Sequence, residues 1–207
     1  MKIELKNIQY NKSLSEETNA FTANVYIDGR LAAYASNDGR GGNTFIRPAQ
    51  EADSTAIRKA EEYCKSLPAK TFTHGGEQYT SPMDLETVVD DLLESHLNEK
   101  HRQQFERQLK KAMNTQIVFG IPGGDTVDVL GFKVPVPELL KQPAGETTIT
   151  KAIQRTIISH LKDGHKILNT NIPEHVLRAA GLTEEQYTKP ETPVAQQAKK
   201  ARTNKLK

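Results

Sequence analysis

The residues best suited to do chemistry lie in one stretch, Ser36 to Pro48, "SNDGRGGNTFIRP". Asn37, Asp38, Gly39, Arg40, Gly41, Gly42, Asn43 and Arg47 combine glycines, two guanidinium groups and short polar side chains. Glycine lets backbone N–H groups converge on one anion, and such cradles usually sit at a helix N-terminus. These eight residues are therefore the candidate binding loop. Its pattern departs from both standard phosphate motifs. A P-loop needs a Lys-Ser/Thr pair after its last glycine, and a dinucleotide loop needs a third glycine opening into a helix. Neither is present here. The same composition also suits a plain bend between strands, because Asn-Asp-Gly is turn chemistry.

Other chemical groups are more scattered. His96 and His101 share one predicted helix. At a spacing of five their rings diverge by about 140°, whereas zinc helices hold histidines one turn apart. His160 reads as a partly buried, satisfied side chain. Cys64 falls on a predicted buried stripe beside Glu61 and Glu62, and nearby acids raise a thiol's pKa. It reads as an inert core residue. The adjacent acids, Asp90–Asp91 and Glu61–Glu62, point apart on a helix and read as a solvated face. The sequence implies no metal, no cofactor and no catalytic constellation. The C-terminal "QQAKKARTNKLK" offers Lys199, Lys200, Arg202, Lys205 and Lys207 to phosphates, a sequence-independent and salt-sensitive attraction.

The elements that must position these groups follow from periodicity. Residues 2–10 alternate like a strand, with a bulge near Asn7 reconciling Ile3 and Leu5 with Ile8 and Tyr10. Asp28-Gly29 sits between two alternating runs, the composition of a type I′ hairpin turn. A two-residue loop places Ile27 opposite Arg30, Val25 opposite Ala32 and Ala23 opposite Tyr34. Phe21, Val25, Ile27, Ala32 and Tyr34 then share the core face. "NTFI" predicts a short fourth strand. A helix is predicted over 49–66, with Ala56, Ile57, Ala60, Tyr63, Cys64 and Leu67 on one stripe and Pro68 as its stop.

Residues 68–80 read as a loop. Ser81 then caps a long helix that runs to about Met113, with Pro82 in its first turn. Acids fill the first half of that helix and bases the second, which complements its dipole. "TQIVFGI" and "TVDVLGFKV" predict a hairpin around Pro122–Asp125. Short helices follow over 136–142, 147–162 and from Pro173 to Gly181. The fold class is α+β: an N-terminal antiparallel sheet packed on a helix, a long charged helix, then a β-hairpin and short helices. The expected division is 1–80, 81–188 and a disordered basic tail at 189–207.

Composition sets the outer limits. The 207 residues are 36% apolar, with no Trp and only 6 Phe and 6 Tyr, so the core depends on narrow aliphatic stripes. A net charge of +2 gives no whole-protein field towards nucleic acid or membrane. A single cysteine excludes an internal disulfide and a cysteine zinc site. The N-terminus lacks a signal-peptide core, and no apolar run approaches the roughly 20 residues of a spanning helix. The expectation is a protein of the bacterial cytoplasm with no membrane partner.

"KIELKNIQY…SEETNAFTANVYIDGRLAAYASNDGRGGNT", with the later "EEYCKSLP" and "KILNTNIP", resembles a group of bacteriophage and mobile-element accessory proteins of unassigned function. That group has a three-strand opening, an NDGxGG loop and a long charged helix. The resemblance covers about two-thirds of the chain, excludes the tail and carries over no catalytic residues. It implies a host-interaction or anti-defence product. The reading expected is thus a non-enzymatic binding protein acting on a host protein or complex. One alternative is a nucleic-acid-binding accessory protein using the tail and loop arginines. Another is a nucleotide- or small-ligand-binding protein, or an enzyme, built around 38–47 and 74–79.

Overall fold

The computed structural model describes residues 1–191. Lys199, Lys200, Arg202, Lys205 and Lys207 of the expected tail lie outside the described residues. The chain divides into two compact units, residues 1–101 and residues from 102 onward. Its class is α+β, as the sequence predicts.

In the first unit, β1 (Ile3–Tyr10), β2 (Phe21–Ile27), β3 (Arg30–Asn37) and β4 (Phe45–Pro48) form one antiparallel sheet in that order. The hairpin turn is built as expected. Asp28 and Gly29 have φ of 48° and 83°, and Ile27 pairs with Arg30. The bulge near Asn7 is present as a register shift between Lys6 and Gln9. The expected β2–β3 register needs correction. A shift between Val25 and Tyr26 sets Val25 opposite Ala33 and Ala23 opposite Ala35. Ala32 and Ala33 are both buried, because two methyl groups fit where only one side chain was expected to point inward. Tyr34 consequently leaves the core face and is 43% exposed.

A 3-10 turn at Glu51–Asp53 leads into α1 (Ser54–Lys65), a shorter helix than the 49–66 expected. Ala60 and Cys64 face the core, while Tyr63 is exposed. Residues expected as a loop form a second hairpin, β5 (Lys70–His74) and β6 (Glu77–Ser81). Gly75 and Gly76 close it with φ of 61° and 85°, values that glycine adopts without steric cost. Phe72 and Tyr79 stack across the hairpin with ring centroids 5.8 Å apart. The helix α2 (Leu85–Thr115) begins later than predicted because Ser81 closes β6. Asp84 is the cap instead: its carboxylate accepts the Thr87 N–H at 2.7 Å. Leu85, Val89, Leu93 and Leu97, one turn apart, are buried in the first core. That stripe carries the first unit past the expected boundary at residue 80.

In the second unit, β7 (Gln116–Gly120) lies between β8 (Asp128–Gly131) and β9 (Lys166–Ile167). Around this sheet come α3 (Val136–Leu140), α4 (Gly145–Ala152) and α5 (Glu174–Ala179). The helix expected over 147–162 changes form: α4 passes into a π-helical turn at Ile153–Ile157 and a 3-10 turn at Ile158–His160. Ile149, Ile153 and Ile157 are fully buried, so the stripe survives the change. His160 falls off it; the residue is exposed, with its ring 5.9 Å from that of Phe119. Among the described residues no helix is long and apolar enough to cross a membrane.

Candidate functional site

The candidate loop spans the gap between Asn37 at the end of β3 and Phe45 at the start of β4. Asn37 organises it. The side-chain oxygen accepts the Gly39 N–H at 2.8 Å and the Thr18 hydroxyl at 2.9 Å. The side-chain amide donates to the Gly42 carbonyl at 2.9 Å and to Thr44 Oγ1 at 3.3 Å. Gly39 is buried with φ of 88°. A Cβ there would stand 2.2 Å from the Leu14 carbonyl oxygen. Its own carbonyl accepts the N–H groups of Glu16, Glu17 and Thr18 at 2.9, 3.0 and 3.3 Å. The loop is thereby tied to the chain segment that follows β1.

An anion cradle needs backbone donors aimed at one empty point. Here the N–H groups of Gly39, Arg40, Gly41 and Thr44 end on protein oxygens. The Arg40 N–H goes to Asp38 Oδ1 at 3.2 Å, and the Gly41 N–H goes to Thr18 Oγ1 at 3.3 Å. The Thr44 N–H goes to Glu86 Oε1 at 2.8 Å, and its hydroxyl donates to Asp90 Oδ1 at 2.7 Å. The geometry is that of a braced bend rather than a phosphate cradle.

Two concavities flank the bend. One, about 360 Å³, is lined by Asn37, Gly42 and Thr44 on one side and by Asp90, Asp91 and Glu94 of α2 on the other. Lys70 of β5 reaches across to pair with Asp91. Partial loss of water pushes the Asp90 carboxyl above its ordinary pKa. The Thr44 hydroxyl acts in the opposite sense, and the charges of Glu86 and Asp91 raise it further. The second concavity, about 600 Å³, includes Asn37, Asp38 and Arg40 with Tyr10, Leu14 and Thr22. Arg47 lines neither; it lies in β4 opposite Tyr34. The structure thus brings Asn37, Asp38, Arg40 and Gly42 to the bend and sets Arg47 on the sheet. Asn43 is exposed between them.

Cys64 is buried in the first core. Burial first, then the Glu61 and Asp84 charges, push its thiol pKa up, which suits an unreactive residue. Among the described residues no group of three or more His, Cys, Asp or Glu could hold a metal ion.

The aromatic face of the sheet escapes sequence reasoning. Tyr26, Tyr34 and Phe45 all point away from the core, because Val25, Ile27, Ala33 and Ala35 take the inward positions. Phe45 is 68% exposed. The alanine pair Ala32–Ala33 permits the bulge that turns Tyr34 outward but does not mark it. No protein-family model, no curated protein and no solved structure matches this chain.

Proposed function

We propose that this chain is a non-enzymatic binding protein of a phage or mobile element that acts on a host macromolecule, in the manner of a host-interaction or anti-defence product. The observation that carries the reading is the braced presentation of the 37–47 segment. Thr44 is held by Glu86 and Asp90, and Ile46 packs against the first core. Between them the backbone offers Phe45 to water, with Arg47 two residues on. An aromatic and a guanidinium on a fixed backbone are the usual anchors of a macromolecular interface. Pre-ordering of such a surface lowers the entropy cost of binding. The N-terminal resemblance to phage and mobile-element accessory proteins supports the biological setting. The engaged N–H groups of Gly39, Arg40, Gly41 and Thr44 count against a small-anion site there.

The test is native mass spectrometry of the whole protein, purified gently from its host cells. The expected result is a complex carrying tens of kilodaltons of added mass, lost from a doubly substituted Arg40→Ala, Arg47→Ala chain whose circular dichroism is unchanged. An added mass of a few hundred daltons contradicts the reading, and so does a complex that survives both substitutions.

A further inference from the structure

The outer face of the four-stranded sheet has a pattern that its register makes plain. Across one row lie Lys6, Asn24, Tyr34 and Arg47, each opposite the next. Tyr26 lies two residues beyond Asn24 on β2, and Phe45 lies two residues before Arg47 on β4. Tyr26, Tyr34 and Phe45 therefore occupy successive strands, each displaced by two residues in the same direction. They form an evenly stepped diagonal. Such diagonal neighbours are about 7–8 Å apart.

Charge flanks this diagonal on both sides. Lys6 Nζ sits 4.3 Å from the centroid of the Tyr26 ring. Arg47 stands beside Tyr34 and Phe45 on the far side. The acid on this face, Glu4, is held by Lys2 at 2.9 Å. Tyr34 and Phe45 present exposed rings, and Tyr26 is half-buried beneath Lys6. Aromatic rings on a sheet with cations alongside are what unpaired bases and their phosphates require. The bases stack on the rings, and the backbone runs past the cations.

We infer that the outer face of β1–β4 binds single-stranded nucleic acid, with bases stacked on Tyr34 and Phe45 and phosphates held by Lys6 and Arg47. This rests on the reading of the chain as a macromolecule-binding protein and names the class of partner for its sheet face. Duplex is disfavoured, because its bases are already stacked on one another and offer no free π-face. Oligothymidylate and oligouridylate share the chemistry; which binds more tightly distinguishes DNA from RNA as the source.

The experiment uses the full chain with fluorescein-labelled twelve-residue oligothymidylate, oligouridylate and a duplex of the same length, followed by anisotropy over a range of salt. Both single strands are expected to bind more tightly than the duplex. With no Trp and 6 Tyr in the chain, the part of the tyrosine quenching that disappears in Tyr34→Leu reports stacking on Tyr34. Tyr34→Ala and Phe45→Ala each weaken binding by about 5- to 150-fold. Tyr34→Leu, which keeps apolar bulk, should lose the same affinity and guards against a folding artefact. Lys6→Ala and Arg47→Ala each reduce the slope of log affinity against log salt by about 0.7. Phe72→Ala, on the β5–β6 hairpin, should bind as wild type. The C-terminal basic residues are common to every variant and cancel. Duplex binding as tight as single-strand binding overturns the inference, as does unchanged affinity in folded Tyr34 and Phe45 variants. A host protein that co-purifies through Arg40 and Arg47, with no oligonucleotide binding at low salt, overturns this inference and leaves the binding-protein reading standing.

Discussion

The two units solve the same packing problem with different residues. The first core is lined by small side chains: Ala23, Ala32, Ala33, Ala35, Ala60 and Cys64 around Phe21, Val25 and the α2 leucines. The second is built from branched and large ones, with Ile117, Ile149, Ile153, Ile157, Ile167 and Ile172 among them. Polar chemistry divides differently. The second unit buries an asparagine, Asn169, fully out of water. Its oxygen accepts the Val118 N–H at 2.6 Å, and its amide donates to the Met113 and Gln116 carbonyls at 3.1 and 3.0 Å. The first unit places its organising asparagine, Asn37, at the rim of a surface bend. It also keeps its interior small and leaves Tyr34 and Phe45 outside. The second unit invests its polar side chains in its own fold; the first directs its aromatics and cations outward.

This contrast can be broken most severely at Asn169. Replacement by Ala takes the side-chain partner from the buried Val118 N–H and from the Gln116 carbonyl, each costing about 1–3 kcal/mol, while the Met113 carbonyl keeps the Asn171 amide. Asn169→Ala should therefore lose about 4 kcal/mol in urea unfolding. A loss below 1 kcal/mol would mean that the buried knot contributes little. Next comes Gly39→Ala. The left-handed φ and the clash with the Leu14 carbonyl should cost about 2 kcal/mol. Amide exchange should speed up in the bend while the 116–187 region stays unchanged. Thr44→Val removes the hydroxyl that bonds Asp90. It should cost about 1 kcal/mol, or about 3 °C in melting temperature.

Smaller effects sharpen the comparison further. Tyr34→Ala should change stability by less than about 0.5 kcal/mol, as for an exposed residue. A large loss would return Tyr34 to the core face that the sequence alone suggests. Asp90 offers a test in pH. A raised carboxyl pKa in the folded state gives stability that is present in acid and lost as pH rises through that pKa. Asp90→Asn keeps an acceptor for Thr44 and should raise stability at neutral pH. The gain should vanish as pH falls through the carboxylate range. Equal gains at both ends of a pH series of thermal melts would contradict the assigned cause.

The order and type of most elements are legible in the sequence. Asp28-Gly29 between alternating runs specifies its hairpin, and the long charged helix expected from Ser81 to about Met113 is close to the observed α2. The β5–β6 hairpin is hidden because its strands, "KTFTH" and "EQYTS", carry one aromatic each and bury neither side chain deeply. No hydrophobic alternation marks them, although Gly75-Gly76 is turn composition. The candidate site is half legible. Residues 38–44 join β3 to β4 as the bend the composition suits, but which N–H groups it frees depends on Thr18 and Glu86, distant in sequence. The aromatic diagonal depends on one bulge, and runs of alanine carry no parity that could reveal it.

The claim that the first unit carries the working surface is tested most directly by hydrogen exchange with mass spectrometry on the whole chain. The free protein is compared with the complex purified from host cells. Slowed exchange is expected across residues 21–48 and none across 116–187. Slowed exchange confined to 116–187 would contradict it.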